Sequence, residues 1–416
     1  MKPLHKSTDQ NLKNSKIITD KKRIDEIFNR GIVAEVLPSK EGLLKILMSG
    51  RRLKIYIGAD PTSDALHLSH AKNYMFLEEL RQLGHEVIVL VGDFTAKIGD
   101  PTGKSETRMQ LTEERVKENV KSWLTQIKPL MDFEDKKNPP KVTYNSKWLA
   151  RLSLNNVVSL SAQFTVQQML ERDMFQRRVE GGKPIYLHEF LYPIMQGYDS
   201  VALDVDVELC GTDQIFNALA GRTLLKRLKN KDKFVLALNL MENPKTGELM
   251  SKSKGAGVFL SSLPEEMYGS IMAQSDEMTE VLFINCTRVP ILEIKEITAL
   301  GPRKAKARVA LEIVKKFYGE ARAKRAEEVF VARFARKGSA AEAYEEKTFA
   351  RGAYSLVNFV VGLGGASSKS EARRLVLGKA VELEHKIITD PNFSVEFQKE
   401  SIIRIGKKKF FRIVPK

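Results

Sequence analysis

The sequence predicts an α/β fold in which a doubly wound parallel sheet is followed by an α-helical region and a small basic α+β module. Three observations support this prediction. Apolar strand-like runs alternate with helical stretches up to about residue 262, helical patterning then takes over, and the chain ends in a basic segment with short strand-like runs. Strands that alternate with helices are joined by crossovers, and crossovers produce parallel pairing.

Four compact apolar runs have the length and composition of buried strands. They lie at 53–58, 85–92, 202–209 and 234–240. Helical stretches at about 71–83 and 213–228 lie between them, and Gly84 is placed to end the first of these helices. The chain before the first strand is predicted to be helical and peripheral. Together these elements form a Rossmann-like, doubly wound pattern.

The domain boundaries are predicted from shifts in composition. Residues 1–262 form the sheet domain, with an insertion at about 112–190 that contains two turn-forming clusters. Residues 263–350 are predicted to be helical, because the stretch 302–335 spaces its apolar residues along one helix face. Residues 351–416 form the small basic module, in which a helix is predicted at 369–377.

Composition excludes several classes of protein. Hydrophobic residues make up 43% of the chain, which excludes intrinsic disorder, and no run approaches the roughly 18 apolar residues of a membrane span. Cys210 and Cys286 are too few for a disulfide framework or a four-thiolate zinc site, so we expect a reducing compartment, the cytoplasm. Lys and Arg number 68 against 52 Asp and Glu, and the resulting net charge of +16 favours a polyanionic partner.

The loop after the first strand carries the strongest chemical signal. In a doubly wound sheet, ligands bind beyond the carboxyl end of a strand, where free N–H groups of the next helix face anions. Gly58 allows close backbone approach, and His67 and His70 are spaced i, i+3, so both imidazoles can face a phosphate. Alternatively, the two histidines form a helix cap or part of a metal site, although the sequence offers no third metal ligand nearby.

Two further loops lie on the same predicted edge of the sheet. Near the first of them, at 91–104, Asp100 suits an ammonium group, and Lys104 and Arg108 suit phosphate. The second, at 250–255, is a cationic loop suited to the charge of a departing pyrophosphate. Taken alone, the loop at 91–104 contains only a turn signature, and the loop at 250–255 is more typical of a solvated loop.

The motifs His67-Leu-Ser-His70 and Met250-Ser-Lys-Ser253 together resemble the signature pair of class I aminoacyl-tRNA synthetases. In that family the motifs are usually His-Ile-Gly-His and Lys-Met-Ser-Lys-Ser. Ser69 thus replaces a glycine, where adenine is expected to pack, and Leu249 replaces a lysine that contacts pyrophosphate. The second change shifts that contact onto Lys252. Candidate substitutes are Lys254 and Lys245.

Three segments narrow the resemblance to the bacterial tyrosyl branch of this family. They are Tyr56-Ile-Gly-Ala-Asp-Pro-Thr62, Ile98-Gly-Asp-Pro-Thr-Gly103 and Gly211-Thr-Asp-Gln214. On a helix, Tyr192, Gln196 and Asp199 share one face; standing alone, they would be a partly polar surface stripe. The resemblance implies a ligase that activates L-tyrosine with ATP, releases pyrophosphate and transfers tyrosine to the terminal adenosine ribose of tRNA(Tyr).

The resemblance also implies roles for individual residues. Tyr56 and Asp199 contact the substrate phenol, and phenylalanine would leave that buried carboxylate without a partner. The other residues on the tyrosine side are Gly58, Asp60, Asp100, Tyr192, Gln196 and Gln214, of which Asp100, Tyr192 and Gln196 hold the ammonium group. The ATP side comprises Asp60, Thr62, His67, His70, Gly211, Asp213, Met250 and Lys252, with Asp213 on the ribose. The catalytic residues are His67, His70, Lys104, Arg108, Lys252 and Ser253.

The implied chemistry needs no protein nucleophile. The tyrosine carboxylate attacks the α-phosphorus of ATP, and catalysis comes from positioning and from cations matched to the developing charge. Mg²⁺ is expected to arrive with ATP, because no dedicated carboxylate cage stands out in the sequence. No protein-bound metal is expected.

The C-terminal module is predicted to bind RNA. Segments 367–376 and 378–381 resemble the small RNA-binding domain shared with a ribosomal small-subunit protein. The candidate RNA contacts are Lys369, Arg373, Arg374, Lys407, Lys408 and Lys409. Lysines and arginines beside aromatic residues suit phosphate contact and base stacking. By resemblance, the helical region before the module recognises the anticodon of tRNA(Tyr), and the protein is a homodimer.

Two alternatives remain open from the sequence. One is a nucleotidyl transferase of the same fold that activates a different carboxylate or adenylates a small molecule. The other is an RNA-binding protein that has lost catalysis, which only Leu249 favours. The sequence retains the residues that argue against such loss, which are Tyr56, His67, His70, Asp100, Asp199 and Lys252.

Overall fold

The computed structural model describes residues 16–101, 112–250, 257–335, 345–350, 352–384, 386–397, 400–406 and 409–415. The chain divides into two compact units, Met1–Glu327 and Glu328–Lys416. The helices and strands of the first unit are α1 Lys21–Phe28, β1 Val33–Leu37, α2 Lys40–Met48, β2 Lys54–Ala59, α3 Leu68–Gln82, β3 Glu86–Val91, α4 Thr95–Ile98, α5 Glu113–Ile127, β4 Lys141–Tyr144, α6 Ser146–Leu149, α7 Leu154–Ser161, α8 Val166–Leu170, α9 Asp173–Glu180, α10 Leu187–Leu203, β5 Val207–Gly211, α11 Ile215–Lys229, β6 Phe234–Leu238, α12 Pro264–Met272, α13 Met278–Cys286, α14 Ile291–Ala299 and α15 Pro302–Tyr318. Helix α16, Glu320–Ala335, crosses the boundary between the units.

The described strands of the first unit form one sheet in the order β1-β6-β5-β2-β3-β4. β1 pairs antiparallel with β6, and the other neighbours pair parallel. The chain runs outward from β2 to β3 and β4, then returns to β5 on the other side of β2 and continues to β6. This reversal opens a crevice at the carboxyl ends of β2 and β5, where ligands bind in doubly wound folds. The predicted fold class is confirmed.

The sheet differs from the prediction in three places. The strand predicted from residue 202 begins only at Val207, because α10 continues to Leu203 and ends on Asp204, a left-handed residue with φ of 52°. The segment predicted as an insertion, 112–190, supplies the edge strand β4. The antiparallel strand β1 was not predicted, because the chain before the first predicted strand was expected to be helical; only Val36 of β1 is buried.

The central strands are buried on both faces, as parallel strands between helical layers must be. In β2 and β3, the residues Ile55, Tyr56, Ile57, Val87, Ile88, Val89, Leu90 and Val91 are all buried. On one side α3 buries most of its length, including Leu68, Tyr74 and Leu77. On the other side α10 and α11 pack closely, since a side chain at Gly197 would come within 3.0 Å of the Gly221 nitrogen. This rigid support fixes the strand ends that form the crevice.

The helices after the sheet pack around α15. Its inward face consists of Ala305, Val309, Ala310, Ile313 and Val314. The predicted helical stretch 302–335 is two helices rather than one, because the chain turns at Gly319, where φ is 81°. Glycine adopts that left-handed conformation without the strain that other residues would suffer.

The second unit is a small α+β module. Its described elements are the end of α16, β7 Glu345–Phe349, β8 Gly352–Ser355, α17 Leu356–Gly362, α18 Lys369–Leu377, β9 Val381–Leu383, β10 Lys386–Ile387, β11 Ser394–Phe397, β12 Ser401–Ile405 and β13 Lys409–Pro415. Five strands form a sheet in the order β10-β9-β12-β13-β7, and β8 pairs with β11. The predicted helix 369–377 is confirmed, with the Ser368 side chain capping its first turn. The predicted domain boundaries themselves stay a prediction.

Two searches of the described residues are relevant to function. Among those residues, no helix combines the length and apolarity needed to cross a membrane. Nor do the described His, Cys, Asp and Glu residues form a group of three or more that could hold a metal ion.

Candidate active site

A cavity of about 440 Å³ lies at the carboxyl ends of β2 and β5. All the predicted tyrosine and ATP contacts within the described part of the chain line this one cavity. They are Tyr56, Gly58, Asp60, Thr62, His67, His70, Asp100, Tyr192, Gln196, Asp199, Gly211, Asp213, Gln214 and Met250. Lys104, Arg108, Lys252 and Ser253 lie outside the described residues. The topology thus brings together residues that are as far as 194 positions apart in the sequence, Tyr56 and Met250.

The first signature motif forms the turn from β2 into α3. His67 is the N-cap residue of α3, and its backbone N–H donates to Nδ1 of His70 over 3.2 Å. The two imidazole centroids are 4.0 Å apart. Because Nδ1 of His70 accepts a hydrogen bond, a neutral His70 carries its proton on Nε2. One nitrogen of this imidazole is therefore available as a donor to a ligand.

Both histidines are neutral at physiological pH. Burial lowers the pKa of His67 to about 4. Burial and the neighbouring His67 lower the pKa of His70 to about 3. The two imidazoles can therefore contact phosphate oxygens as neutral hydrogen-bond donors and not as cations, so the positive charge for that end of the cavity must come from elsewhere.

The residues on either side of the second signature loop are held against the first motif. The Ser69 hydroxyl donates to the Met250 carbonyl over 3.2 Å. On the far side of the loop, the Leu68 N–H donates to the Val258 carbonyl over 3.0 Å, and the Leu260 N–H donates to the Leu66 carbonyl over 2.9 Å. The serine that replaces the family's glycine thus gives a contact that glycine could not.

Asp199 lies at the opposite end of the cavity, on α10. Its side chain is buried, and its two oxygens accept from Trp148 Nε1 over 2.7 Å and from Asn145 Nδ2 over 3.2 Å. Burial raises the pKa of Asp199 well above its usual range, although these two donors oppose the rise. The predicted common face of α10 is present, since Tyr192, Gln196 and Asp199 all reach the cavity. Their individual roles stay predictions.

Two further carboxylates lie between these ends. Asp60 accepts from the Thr95 hydroxyl over 2.6 Å and from the Tyr192 hydroxyl over 3.0 Å. Asp100 accepts from Gln214 Nε2 over 2.7 Å and lies 3.5 Å from an Arg172 guanidinium nitrogen. Carboxylates at a partly closed site favour a cationic group of a ligand. The Tyr192 hydroxyl donates to Asp60, and its oxygen can still accept from an ammonium group, so its predicted role stays a prediction.

Several cavity residues were missed from the sequence. Lys72 is buried in α3 and donates to the backbone and side-chain oxygens of Asn239. Burial lowers its pKa to about 8. Glu208 of β5 also lines the cavity, and Asn145 and Trp148 reach Asp199 from the chain after β4. Lys72 was missed because a lysine inside a helix is usually solvated. Asn145 and Trp148 were missed because no spacing rule links residues 145–148 to α10.

The three histidines with lowered pKa values should make stability fall in mild acid. Burial lowers the pKa of His85, which is fully buried outside the cavity, to about 4. Below pH 6.5 the unfolded chain takes up a proton that the folded His85 refuses, so this residue stabilises the fold above that pH and loses its contribution towards pH 4. From pH 7 to pH 5 the loss should be about 2 kcal/mol. Urea unfolding of wild type and His85→Gln at both pH values should show a smaller decline for the variant; equal declines would contradict this.

Comparison with known proteins decides the family. The family model described as tRNA synthetases class I (W and Y) matches residues 48–335, and the S4 domain model matches residues 355–400. The chain belongs to the class I tRNA synthetases of this W and Y group. The family predicted from the two signature motifs is confirmed.

Individual relatives of this synthetase match over nearly its whole length. The tyrosine–tRNA ligase of Moorella thermoacetica is 40% identical over 396 residues, 93% of this chain and 94% of that protein. The tyrosine–tRNA ligase of Carboxydothermus hydrogenoformans is 39% identical over 411 residues, 95% and 99% of the two chains. A C-terminally truncated mitochondrial tyrosyl-tRNA synthetase of Coccidioides posadasii has the same fold, with a TM-score of 0.59, 25% identity and coverage of 74% of this chain and 92% of that one.

Three of the six residues predicted to bind RNA lie within the S4 match, 355–400, and the other three follow it. Lys369, Arg373 and Arg374 are exposed on α18, and Lys409 is exposed at the start of β13. Lys407 and Lys408 lie outside the described residues. Lys369 and Arg374 are exposed cations of α18 suited to phosphate contacts, whereas Arg373 donates to Asn392 Oδ1 over 3.3 Å and Lys409 donates to the Gly364 carbonyl over 2.6 Å.

Proposed function

We propose that this synthetase is a tyrosine–tRNA ligase. It activates L-tyrosine with ATP to tyrosyl-adenylate and pyrophosphate, then transfers tyrosine to the terminal adenosine ribose of tRNA(Tyr). The observation that carries the proposal is the arrangement of the cavity: Tyr56 and Asp199 lie at a buried end, and the two signature motifs meet at the other. The relatives named as tyrosine–tRNA ligases support the same amino acid.

The cavity suits tyrosine in its charges as well as its position. The buried carboxyl of Asp199 offers an acceptor for the phenolic O–H group. Asp60 and Asp100 lie between this end and the signature motifs, where they can attract the ammonium group. Held in this way, the substrate carboxylate points towards the signature motifs, where it can attack the α-phosphorus of ATP. Positioning of the two reactants and stabilisation of the developing charge then supply the catalysis.

The phosphates need positive charge that the two neutral histidines do not supply. Lys252 of the second signature, with Lys104 and Arg108, would provide it, and these residues lie outside the described part of the chain. We propose that Mg²⁺ enters with ATP, since magnesium commonly binds substrate phosphates through one or two carboxylates and water. The partner tRNA(Tyr) and a cytoplasmic location follow from the same proposal. The two cysteines are buried and unpaired, as suits a reducing compartment.

The first test is ATP–pyrophosphate exchange with each of the twenty amino acids, using the full chain without tRNA. Exchange with tyrosine alone would support the proposal and show that Leu249 is tolerated in the second signature. Exchange with a different amino acid would refute the assignment of the pocket while leaving the family intact. No exchange with any amino acid would favour an RNA-binding role without catalysis.

Ser69 should help to position the second signature loop for ATP. Its hydroxyl donates to the Met250 carbonyl, and a neutral hydrogen bond of this kind stabilises by about 1 kcal/mol. Ser69→Gly restores the usual family residue but removes the contact, so we expect the KM for ATP to rise roughly fivefold. Exchange kinetics at varied ATP measure this, with Ser49→Gly as control, because that hydroxyl caps a surface helix. A KM equal to wild type would refute the role.

We also propose that the ligase is a homodimer that associates through its exposed aliphatic residues at 154–187. Large aliphatic side chains of α7, α8, α9 and α10 are exposed there, and Leu154 and Leu187 are 79% and 84% exposed. Exposed apolar surface of this kind is typical of protein interfaces.

Light scattering should give twice the 47.0 kDa chain mass, and Leu154→Asp with Leu187→Asp should give monomers. Leu292→Asp, at another exposed leucine, is the control; a monomeric wild type would end the proposal.

A further inference from the structure

A buried ion pair lies beneath the tyrosine end of the cavity. Lys233, just before β6, contacts Glu208 on the neighbouring strand β5. Their side chains are 0% and 3% exposed. Taking two charges out of water is costly, and apolar residues of similar size often stabilise a core at least as well. A buried ion pair is therefore weak evidence of a role in stability, and the position of this pair suggests a different use.

The pair is connected to Tyr56 through one hydroxyl group. Lys233 Nζ donates to the Ser200 Oγ over 2.6 Å, and the Ser200 hydroxyl lies 3.2 Å from Glu208 Oε2. The Tyr56 hydroxyl lies 2.9 Å from the same Ser200 Oγ. The Lys233 ammonium is also 5.7 Å from the centre of the Tyr56 ring. Lys233 therefore restrains Tyr56 at two points, at the hydroxyl through Ser200 and at the ring through its ammonium group.

The same pair is connected to Gln196 through the other oxygen of the carboxylate. Gln196 Nε2 donates to Glu208 Oε1 over 3.1 Å. The Gln196 oxygen in turn accepts from Asn217 Nδ2 over 3.0 Å, which leaves the amide little freedom to rotate. Tyr56 and Gln196 are the residues expected at the phenol and at the ammonium group of the substrate. One buried ion pair therefore fixes both.

The backbone of α11 leaves space for this arrangement. A Cβ atom at Gly221 would stand 2.7 Å from Lys233 Nζ and 2.7 Å from the Ser200 Oγ. Any other residue at this position would displace the end of the lysine side chain, the Ser200 hydroxyl group or both. This position therefore allows the connection from the pair to Tyr56 to be disturbed while both charges remain.

We propose that Lys233 is a positioning residue for tyrosine recognition, which, paired with Glu208, holds Tyr56 through Ser200 and holds Gln196 directly. The inference rests on the proposed function. Lys233 does not touch the substrate or the reacting atoms. It fixes the distance between the two recognising side chains, and so the fit of a substrate that carries a phenol and an ammonium group.

The first test is the variant Lys233→Met in ATP–pyrophosphate exchange. We expect the KM for tyrosine to rise about tenfold or more and the preference for tyrosine over phenylalanine to fall by a similar factor. The KM for ATP should stay within about twofold, because the described residues on the predicted ATP side form no hydrogen bond or ion pair with Lys233 or Glu208. Lys231→Met is the matched control, since Lys231 pairs with Asp204 and Asp206 away from the cavity.

A second variant keeps the test decisive if Lys233→Met unfolds. Gly221→Ala retains both charges but displaces the ammonium group, the Ser200 hydroxyl group or both, and it should raise the KM for tyrosine in the same selective way. Gly269→Ala is its control, because a Cβ atom there meets nothing within 4 Å. Ser200→Ala should separate the two connections: it should weaken the preference over phenylalanine while leaving the contact between Gln196 and Glu208.

The outcomes distinguish this inference from the proposed function. A folded Lys233→Met or Gly221→Ala with unchanged tyrosine KM and preference overturns the inference. So does an equal rise in the KM values of tyrosine and ATP, because that would show a general structural role. If the wild type exchanges no pyrophosphate with tyrosine, the proposed function itself fails.

Discussion

Replacing Asp199 with asparagine should lower kcat/KM for tyrosine about hundredfold, because leaving the buried phenolic O–H group of the substrate without an acceptor costs up to about 3 kcal/mol. The carboxylate now accepts from Trp148 and Asn145. An asparagine at this position has only one oxygen, which the indole N–H group would occupy. Its NH₂ group would then face the Asn145 amide and, being a donor, could not accept from the phenolic O–H group of the substrate.

The selectivity of this effect is what makes it informative. The KM for ATP should stay within about twofold, since Asp199 lies at the opposite end of the cavity from the signature motifs. The preference for tyrosine over phenylalanine should shrink by nearly the whole factor, because phenylalanine never used the lost acceptor. Exchange kinetics with both amino acids measure this, and an unchanged preference would refute the role of Asp199. Asp204→Asn, at the exposed end of the same helix, is the control.

Much of this site could be predicted because it depends on local periodicity. The spacing of Tyr192, Gln196 and Asp199 defines a helix face whatever the rest of the fold does, and α10 brings all three to the cavity. The loops around Asp60 and Asp100 were predicted to converge because parallel strands end at the same edge of a sheet. Short-range sequence rules suffice where one helix or one strand end fixes the geometry.

The parts that were missed depend on contacts between distant segments. Lys233 meets Glu208 only because β5 and β6 are neighbours in register, and neither residue belongs to a recognisable motif. Trp148 reaches Asp199 from the short helix α6 after the edge strand β4, over 51 positions in the sequence. Lysine is usually solvated, so the burial of Lys72 and Lys233 runs against the expectation that composition gives. Buried polar networks are set by the tertiary fold, and a single sequence does not reveal which partners it will supply.

The boundary between α10 and β5 shows the same limit at the level of secondary structure. From Val201 to Leu209 the chain is apolar at alternate and adjacent positions, which suits a buried helix end as well as a strand. The structure resolves this ambiguity at Asp204, where the left-handed conformation ends the helix. Asp and Asn tolerate that conformation better than most residues, but their presence does not require it.

Reversing the charge of the α18 cations should separate tRNA charging from amino-acid activation. Lys369, Arg373 and Arg374 are exposed on the S4 domain. If each contacts a phosphate, replacing all three with glutamate should reduce tRNA(Tyr) aminoacylation about hundredfold or more at low salt. Pyrophosphate exchange without tRNA should be unchanged, because the adenylate-forming cavity is built from strands and helices of the first unit.

The salt dependence gives this prediction its second readout. Each lost phosphate contact removes about 0.7 to 0.9 from the slope of log affinity against log salt, so three contacts should flatten the slope by roughly 2 to 3. Lys21, Lys22 and Lys45 are exposed on the first unit, and changing these three to glutamate alters the net charge by the same amount. Equal losses in the two triple variants would show that general charge, and not the α18 surface, holds the tRNA. A loss of aminoacylation in the α18 variant alone would assign tRNA binding to the S4 domain. In that case the α18 cations, and not the control lysines, contact the phosphates.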